Sequence, residues 1–145
     1  MNLDESIRDH LSKRGSLALA TDRIKKFHRA FSHPCPDSPS LGSPELQALR
    51  DKLIAEEFEE YREAIRKNDI IGVADGLGDL LVVVLGAAVA YGIPINQVWE
   101  EICDSNMSKL GADNKPILRE DGKILKGPNY FKANLHQFFE DRMIQ

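Results

Sequence analysis

The sequence predicts an all-α fold, a bundle of helices with one small hairpin near its C-terminal end. Three observations lead there. Apolar residues recur at helical spacing, as in Ile24, Phe27 and Phe31. Helix punctuation is explicit: Ser43-Pro44-Glu45 pairs a capping serine with proline at the first helical position, and Gly92 with Pro94 beyond it marks a stop. Only PILREDGKIL, Pro116–Leu125, reads as paired strands, because Asp-Gly is the preferred two-residue hairpin turn and short apolar pairs flank it.

Taken in order, Met1–Lys13 is polar and reads as a short helix or arm. A helix follows from Thr21, as N-cap, to Phe31. HPCPDSPSLGSP, His33–Pro44, holds four prolines and is a loop, long enough to suggest a functional role or a crossover. Helices are expected from Pro44 to about Lys67, from Asp69 to Tyr91, and from Asn96 to about Ser105. After the hairpin comes a terminal helix with Leu135, Phe138, Phe139 and Met143 on one side. The 145 residues form a single domain, 1–145, long enough to bury a core.

A net charge of −4 argues against a general nucleic-acid binder. The uncharged run Leu80–Trp99 raises the membrane question, but Gly92, Pro94, Asn96 and Gln97 break it. Leu80–Tyr91 is then too short to span, and no membrane partner is expected. Cys35 and Cys103 make no metal-binding pattern and read as reduced thiols of a cytoplasmic protein, since the first twenty residues lack an apolar signal core.

The chemistry lies in the acids. Between Ile70 and Trp99 the charged side chains are Asp75 and Asp79, which share a helix face. Carboxylates in such an apolar helix stay ionised only with cations nearby. The preceding segment supplies more acid, EEFEE at Glu56–Glu60. On a helical wheel Leu53, Ile54, Phe58, Tyr61, Ala64 and Ile65 form an apolar arc. Glu57 falls inside it, Glu56 and Glu60 at its edge, and Glu59 and Glu63 towards solvent. Packing the two acidic faces together predicts a carboxylate cage for Mg²⁺ or Mn²⁺, hard ions that prefer oxygen and are often shared with phosphates. A di-iron bundle would need Glu-x-x-His pairs, and no histidine here has a glutamate three residues before it.

E-E-x-x-E on one helix, then an acidic pair just before an apolar run, resembles the MazG-like all-α nucleoside triphosphate pyrophosphohydrolases, a group that also includes dimeric dUTPases and phosphoribosyl-ATP pyrophosphohydrolase. FHRAF (Phe27–Phe31), the Pro-rich loop, ADGLGDLL, NMSK (Asn106–Lys109) and DGKILKGPNY resemble its short phage and bacterial single-domain members, so the likeness runs over roughly residues 24 to 131. The resemblance implies a four-helix-bundle-like core. It implies that Glu56, Glu57, Glu60 and Asp79 bind two or three Mg²⁺ ions, with Mn²⁺ able to substitute. The usual second motif, E-x-x-D, would place an acid at position 76, where this chain has Gly76; Asp75 is expected to stand in.

The same resemblance implies that Asn106 and Lys109 hold phosphate oxygens, with Lys126 a further candidate. Glu56 or Glu57 would be the catalytic acid that orients or deprotonates the water. Phe27, Phe31, Trp99 and Tyr130 could stack on a base, or be core, and His28 and Asn129 could read a base edge, or be surface. The implied reaction is cleavage of a (deoxy)nucleoside triphosphate, dGTP or dUTP leading, to the monophosphate and pyrophosphate. It would be carried out by a homodimer or homotetramer in the cytoplasm, the host's if phage-encoded. The alternatives are phosphoribosyl-ATP as substrate, or a non-catalytic helical interaction module with a degenerate site.

Overall fold

The structure, a computed structural model, describes residues 16–139. Among them stand four α-helices, α1 (Leu17–Ala30), α2 (Pro44–Arg66), α3 (Ile70–Ala90) and α4 (Ile95–Met107), and a 3₁₀ turn at His136–Phe138. The all-α class expected from the sequence is what forms. The arm proposed for Met1–Lys13 lies outside the described residues. The chain divides into two compact units, one ending at Ile95 and one beginning at Asn96.

In the first unit each helix ends on local chemistry. Ser16, not Thr21, caps α1, its hydroxyl accepting from the Leu19 N–H at 3.4 Å. Thr21 lies one turn inside, where its hydroxyl donates back to the Leu17 carbonyl at 2.8 Å, a bond that a threonine makes within a helix as readily as a cap. Ser43 caps α2 and Pro44 opens it, as expected. Between α2 and α3 lie three residues. Asn68 takes the left-handed conformation (φ 52°), its N–H reaches the Ile65 carbonyl, and the Asp69 N–H reaches that of Ala64. This is the Schellman ending, with Asn in the place Gly often fills. Asp69 then caps α3, accepting from Ile71 and Gly72 at 3.1 and 3.0 Å. One residue thus closes one helix and opens the next, which brings α3 back antiparallel along α2.

α3 ends the same way, with Gly92 at φ +63° and the Ile93 N–H on the Ala88 carbonyl. A Cβ at Gly92 would lie 2.4 Å from the Ser38 carbonyl oxygen. Glycine there serves both the turn and the close passage of the Pro-rich loop, which Ser40 ties down by donating to the Tyr91 carbonyl at 2.9 Å. α3 forms where the sequence places it, and its 21 residues are by length and composition apolar enough to cross a membrane; the segment Leu80–Tyr91, too short alone, is only its uncharged part beyond Asp79. Its C-terminal half, Leu85–Ala90, is buried. The small side chains of that half let α1 and α2 come close.

The core of this unit holds polar residues the sequence does not advertise. His28 is 2 % exposed and Arg50 4 %. The His28 Nδ1 pairs with the Pro34 carbonyl at 2.8 Å, and because a carbonyl only accepts, Nδ1 carries the hydrogen. Arg50 donates to the His33 Nδ1 at 3.0 Å. Gly86 of α3 leaves room for both: a Cβ there would stand 3.3 Å from the His28 Nε2 and from an Arg50 Nη. Together these side chains fasten the Pro-rich loop to the bundle.

Burial lowers the His28 pKa below 6.5, the Pro34 bond opposes this, and Arg50 and His33 add to the lowering. The sign follows: below pH 6.5 the unfolded chain takes up a proton that the folded chain refuses, so stability falls as pH drops from 6.5 towards the folded value. The slope is at most about 1.4 kcal/mol per pH unit. In urea titrations the midpoint difference between wild type and His28→Gln should therefore shrink on acidification from pH 8 to 5.5.

In the second unit α4 leads into a turn-rich chain returning alongside it. The Ser105 hydroxyl donates to the Phe131 carbonyl, the Ser108 hydroxyl accepts from the Phe131 N–H, and the Gly127 N–H reaches the Lys109 carbonyl. The expected hairpin is reduced to one antiparallel bridge, Leu118–Ile124. Its turn holds three residues, with Gly122 at φ +83° and the Arg119 N–H on the Lys123 carbonyl. Asp121 bonds to Arg119 and to the Lys123 N–H instead of adopting the positive φ that a two-residue Asp-Gly turn needs. Of the expected terminal helix, the described part is only the 3₁₀ turn at His136–Phe138; Met143 lies beyond it. Gln137 turns its side-chain amide to the Asn134 carbonyl there.

Candidate active site

The tight α2–α3 connection sets the acids of two helices side by side, and the structure sorts them by partner. Glu59 and Glu63 are held by Arg62, Arg66 and Lys67 at 2.6–3.3 Å. Arg66 keeps both carboxyls below their ordinary pKa. They form the solvated face, as the wheel predicts. Glu56 has a loose pair with Lys52 at 3.6 Å. Among the described residues no ion pair or hydrogen bond neutralises the side chains of Glu57, Glu60, Asp75 or Asp79.

Glu57 is the focus of this group. Its Oε2 is buried without a hydrogen-bond partner. Desolvation raises its pKa above 4.5, and the charges of Glu60, Asp79, Glu56 and Asp75 push the same way. Glu57 is thus near enough to feel each of the other four carboxylates expected to act with it. Glu60 and Asp75 also line one groove of about 220 Å³, with Gly76 in its wall. Among the described residues, however, no three His, Cys, Asp or Glu side chains are drawn into a single coordination sphere. A buried carboxylate oxygen with no donor, ringed by further carboxylates, fits a hard divalent cation by the chemistry of its donors.

Gly76, the departure from E-x-x-D, has a structural cause. It is buried against α2, where a Cβ would meet the Tyr61 Cα at 2.9 Å and the Tyr61 N at 3.1 Å. Position 76 is the helix crossing itself, and Asp75 and Asp79 lie to one side of it.

The residues expected at the phosphate end belong to the second unit. The Lys109 ammonium donates to the Asn106 Oδ1 at 2.7 Å, and the Lys126 ammonium stands 4.5 Å from the centre of the Tyr130 ring. His28, expected to read a base edge or lie on the surface, does neither, because it is enclosed in the core with its Nδ1 committed to Pro34. Phe27, Phe31 and Trp99 are 47, 64 and 52 % exposed and are not core. Sequence reasoning also passed over Arg50. It lies seven residues before Glu57 on the same face of α2, a spacing that could have revealed it.

Residues 24–106, more than half of the chain, match the family model described as phosphoribosyl-ATP pyrophosphohydrolase. An uncharacterised protein of Acanthamoeba polyphaga mimivirus is 31 % identical over 77 residues, covering 50 % of this chain and 31 % of the viral protein. The chain thus spans about a third of the length of that curated relative. Among solved structures, a protein of Exiguobacterium sp. 255-15 whose proposed activity is NTP pyrophosphohydrolysis is 25 % identical. The match covers 83 % of this chain and 93 % of that one, with a TM-score of 0.48. The matched span contains every acid of the α2–α3 face, and the chain belongs to the phosphoribosyl-ATP pyrophosphohydrolase family, within the MazG-like all-α pyrophosphohydrolases.

Proposed function

We propose that the chain hydrolyses a nucleoside triphosphate to the monophosphate and pyrophosphate with the help of divalent metal. The observation that carries this reading is the unneutralised set Glu57, Glu60, Asp75 and Asp79, centred on the partnerless buried oxygen of Glu57. Basic side chains serve the outer acids and not these, so the inner acids are the ones left to take Mg²⁺ or Mn²⁺, with Glu56 at the rim. When bound, such an ion supplies charge neutralisation for the phosphate chain. Water attacks the α-phosphorus, the bond from that phosphorus to the α–β bridging oxygen breaks, and pyrophosphate leaves with the electron pair. Glu56 or Glu57 orients the water and takes its proton. Asn106 and Lys109 are the residues proposed to hold phosphate oxygens, with Lys126 and Tyr130 further along the same unit. A homodimer or homotetramer is part of the proposal.

dGTP and dUTP are the leading substrates, on the resemblance of FHRAF and DGKILKGPNY to short phage-type members. The family's own description favours phosphoribosyl-ATP as a second reading. Pyrophosphate release is to be measured across the common ribo- and deoxynucleoside triphosphates and phosphoribosyl-ATP, with Mg²⁺ and with Mn²⁺. Turnover of a deoxynucleotide ahead of the others is the expected result. Preference for phosphoribosyl-ATP selects the second reading, and no turnover on any compound by folded protein leaves the non-catalytic module.

A further inference from the structure

The Pro-rich loop between α1 and α2 has no hydrophobic anchor, because no residue from Phe31 to Ser43 is buried. Polar contacts hold it instead. At the end of α1, Ser32 takes the left-handed conformation (φ 54°) and the His33 N–H reaches the His28 carbonyl at 2.7 Å. This turn sets the His33 ring 5.4 Å from the His28 ring, centre to centre. The next residue, Pro34, accepts from the His28 Nδ1, and Arg50 reaches across from α2 to the His33 Nδ1. Farther along, the Ser40 N–H meets the Tyr91 carbonyl.

This cluster is rich in basic nitrogen and poor in anything to balance a charge. Among the described residues no carboxylate pairs with Arg50, and its Nε is buried without a hydrogen-bond partner. The charged or titratable groups acting on His28 are Arg50 of α2 and His33 of the loop, Tyr91 faces Arg50 from the end of α3, and α3 itself meets His28 at Gly86. The His28 Nδ1 is committed to Pro34, so a further proton can go only to Nε2. That nitrogen and an Arg50 Nη converge on one point, each 3.3 Å from where a Gly86 Cβ would stand. A protonated Nε2 would thus find a buried guanidinium where it needs an acceptor. Burial first, and then Arg50 and His33, favour the neutral ring against the pull of the Pro34 carbonyl.

We infer that His28 and Arg50 form an acid-released latch on the Pro-rich loop: the closed loop has no place for a proton on the His28 Nε2, and taking one up swings the loop away. Opening removes Pro34 and His33 and lets water reach the imidazolium and the guanidinium together. It is local, since no buried side chain leaves the core with the loop. The loop therefore opens before the bundle unfolds. The latch stands apart from the acids of α2 and α3 and does not depend on the reaction proposed above.

Amide hydrogen exchange of the full chain, followed by NMR with each rate divided by its intrinsic rate at the same pH, tests it. The His33 and Ser40 amides report on the loop. Their protection should fall about tenfold between about pH 7.5 and 5.5, the factor for one imidazole of ordinary pKa 6.5 that is refused its proton in the closed form. Low concentrations of urea should leave these rates unchanged, while the buried half of α3, Leu85–Ala90, stays more protected and responds to urea. His28→Asn keeps a donor for Pro34 but cannot titrate, so its loop should lose the pH response. His136→Gln, at an exposed histidine of the second unit, should keep it. Loop protection in the wild type that does not change with pH overturns the inference, whatever the variants do. So does a fall that persists in folded His28→Asn, and so do loop amides that exchange only in step with Leu85–Ala90 as urea is added.

Discussion

Glu57→Gln and Asp79→Asn should each lower pyrophosphate release by on the order of a hundredfold or more at saturating Mg²⁺, with no loss of fold stability. Both replacements keep side-chain length and hydrogen-bonding capacity while removing one negative charge. The charge is where function and stability part. Glu57 already titrates above its ordinary value, because burial and four neighbouring carboxylates disfavour its ionised form. A carboxyl with a raised folded pKa is a net cost once ionised. The contribution of Glu57 to the metal-free wild type is therefore unfavourable at neutral pH and improves as pH falls through the folded value, opposite in sign to that of His28. Gln at position 57 removes that dependence, so its urea midpoint at pH 7 should equal or exceed the wild type's. Divalent cation reverses the order. A ligand that binds only the folded chain stabilises it by about 2.7 kcal/mol at a hundred times its dissociation constant. Mg²⁺ should thus raise the melting temperature of the wild type and leave both variants almost unmoved. A variant that loses activity together with stability, or that still responds fully to Mg²⁺, would show the carboxylate to be structural.

Much of this arrangement is legible in the sequence because it is local. Ser43-Pro44, Asp69 and Gly92 each carry a specific backbone chemistry, and each sits where that chemistry predicts. Helical geometry places Glu59 and Glu63 towards solvent, where they pair with Arg62, Arg66 and Lys67, but Phe58 and Ile65 of the wheel's apolar arc are half exposed and Glu56 and Glu60 at its edge are exposed. The unread parts depend on contacts distant in sequence. Thr21 could cap as well as Ser16 by residue type, and only the packing of α1 decides. His28 could equally have been ligand or surface until the Pro-rich loop folded back over it; its spacing of four from Ile24 and seven from Thr21 was the available sign that it faces inward. The hairpin signal was real but weak, because Arg119 captured Asp121 and left one bridge in place of two strands.

Restoring the E-x-x-D acid is the substitution that most sharply separates sequence pattern from structure. By spacing alone Gly76→Glu completes a ligand set and should help. The structure predicts the opposite. The first side-chain carbon would stand 2.9 Å from the Tyr61 Cα, a backbone atom that cannot rotate away. α3 must then lift from α2 along the crossing that holds the acids opposite one another. Gly76→Ala isolates that effect: overpacking costs about 1–3 kcal/mol, and the better helix propensity of alanine returns at most about 1 kcal/mol. Gly76→Glu adds burial of a charge beside carboxylates that already repel, so it should be less stable still. Both should lose activity, Glu more than Ala. Asp75→Asn, exposed beside the crossing and not within it, should lose activity at unchanged stability. Urea midpoints of the three variants, read beside their pyrophosphate release, decide the matter. If Gly76→Glu keeps the wild-type midpoint and gains turnover, position 76 is open to a ligand and Asp75 is not its substitute.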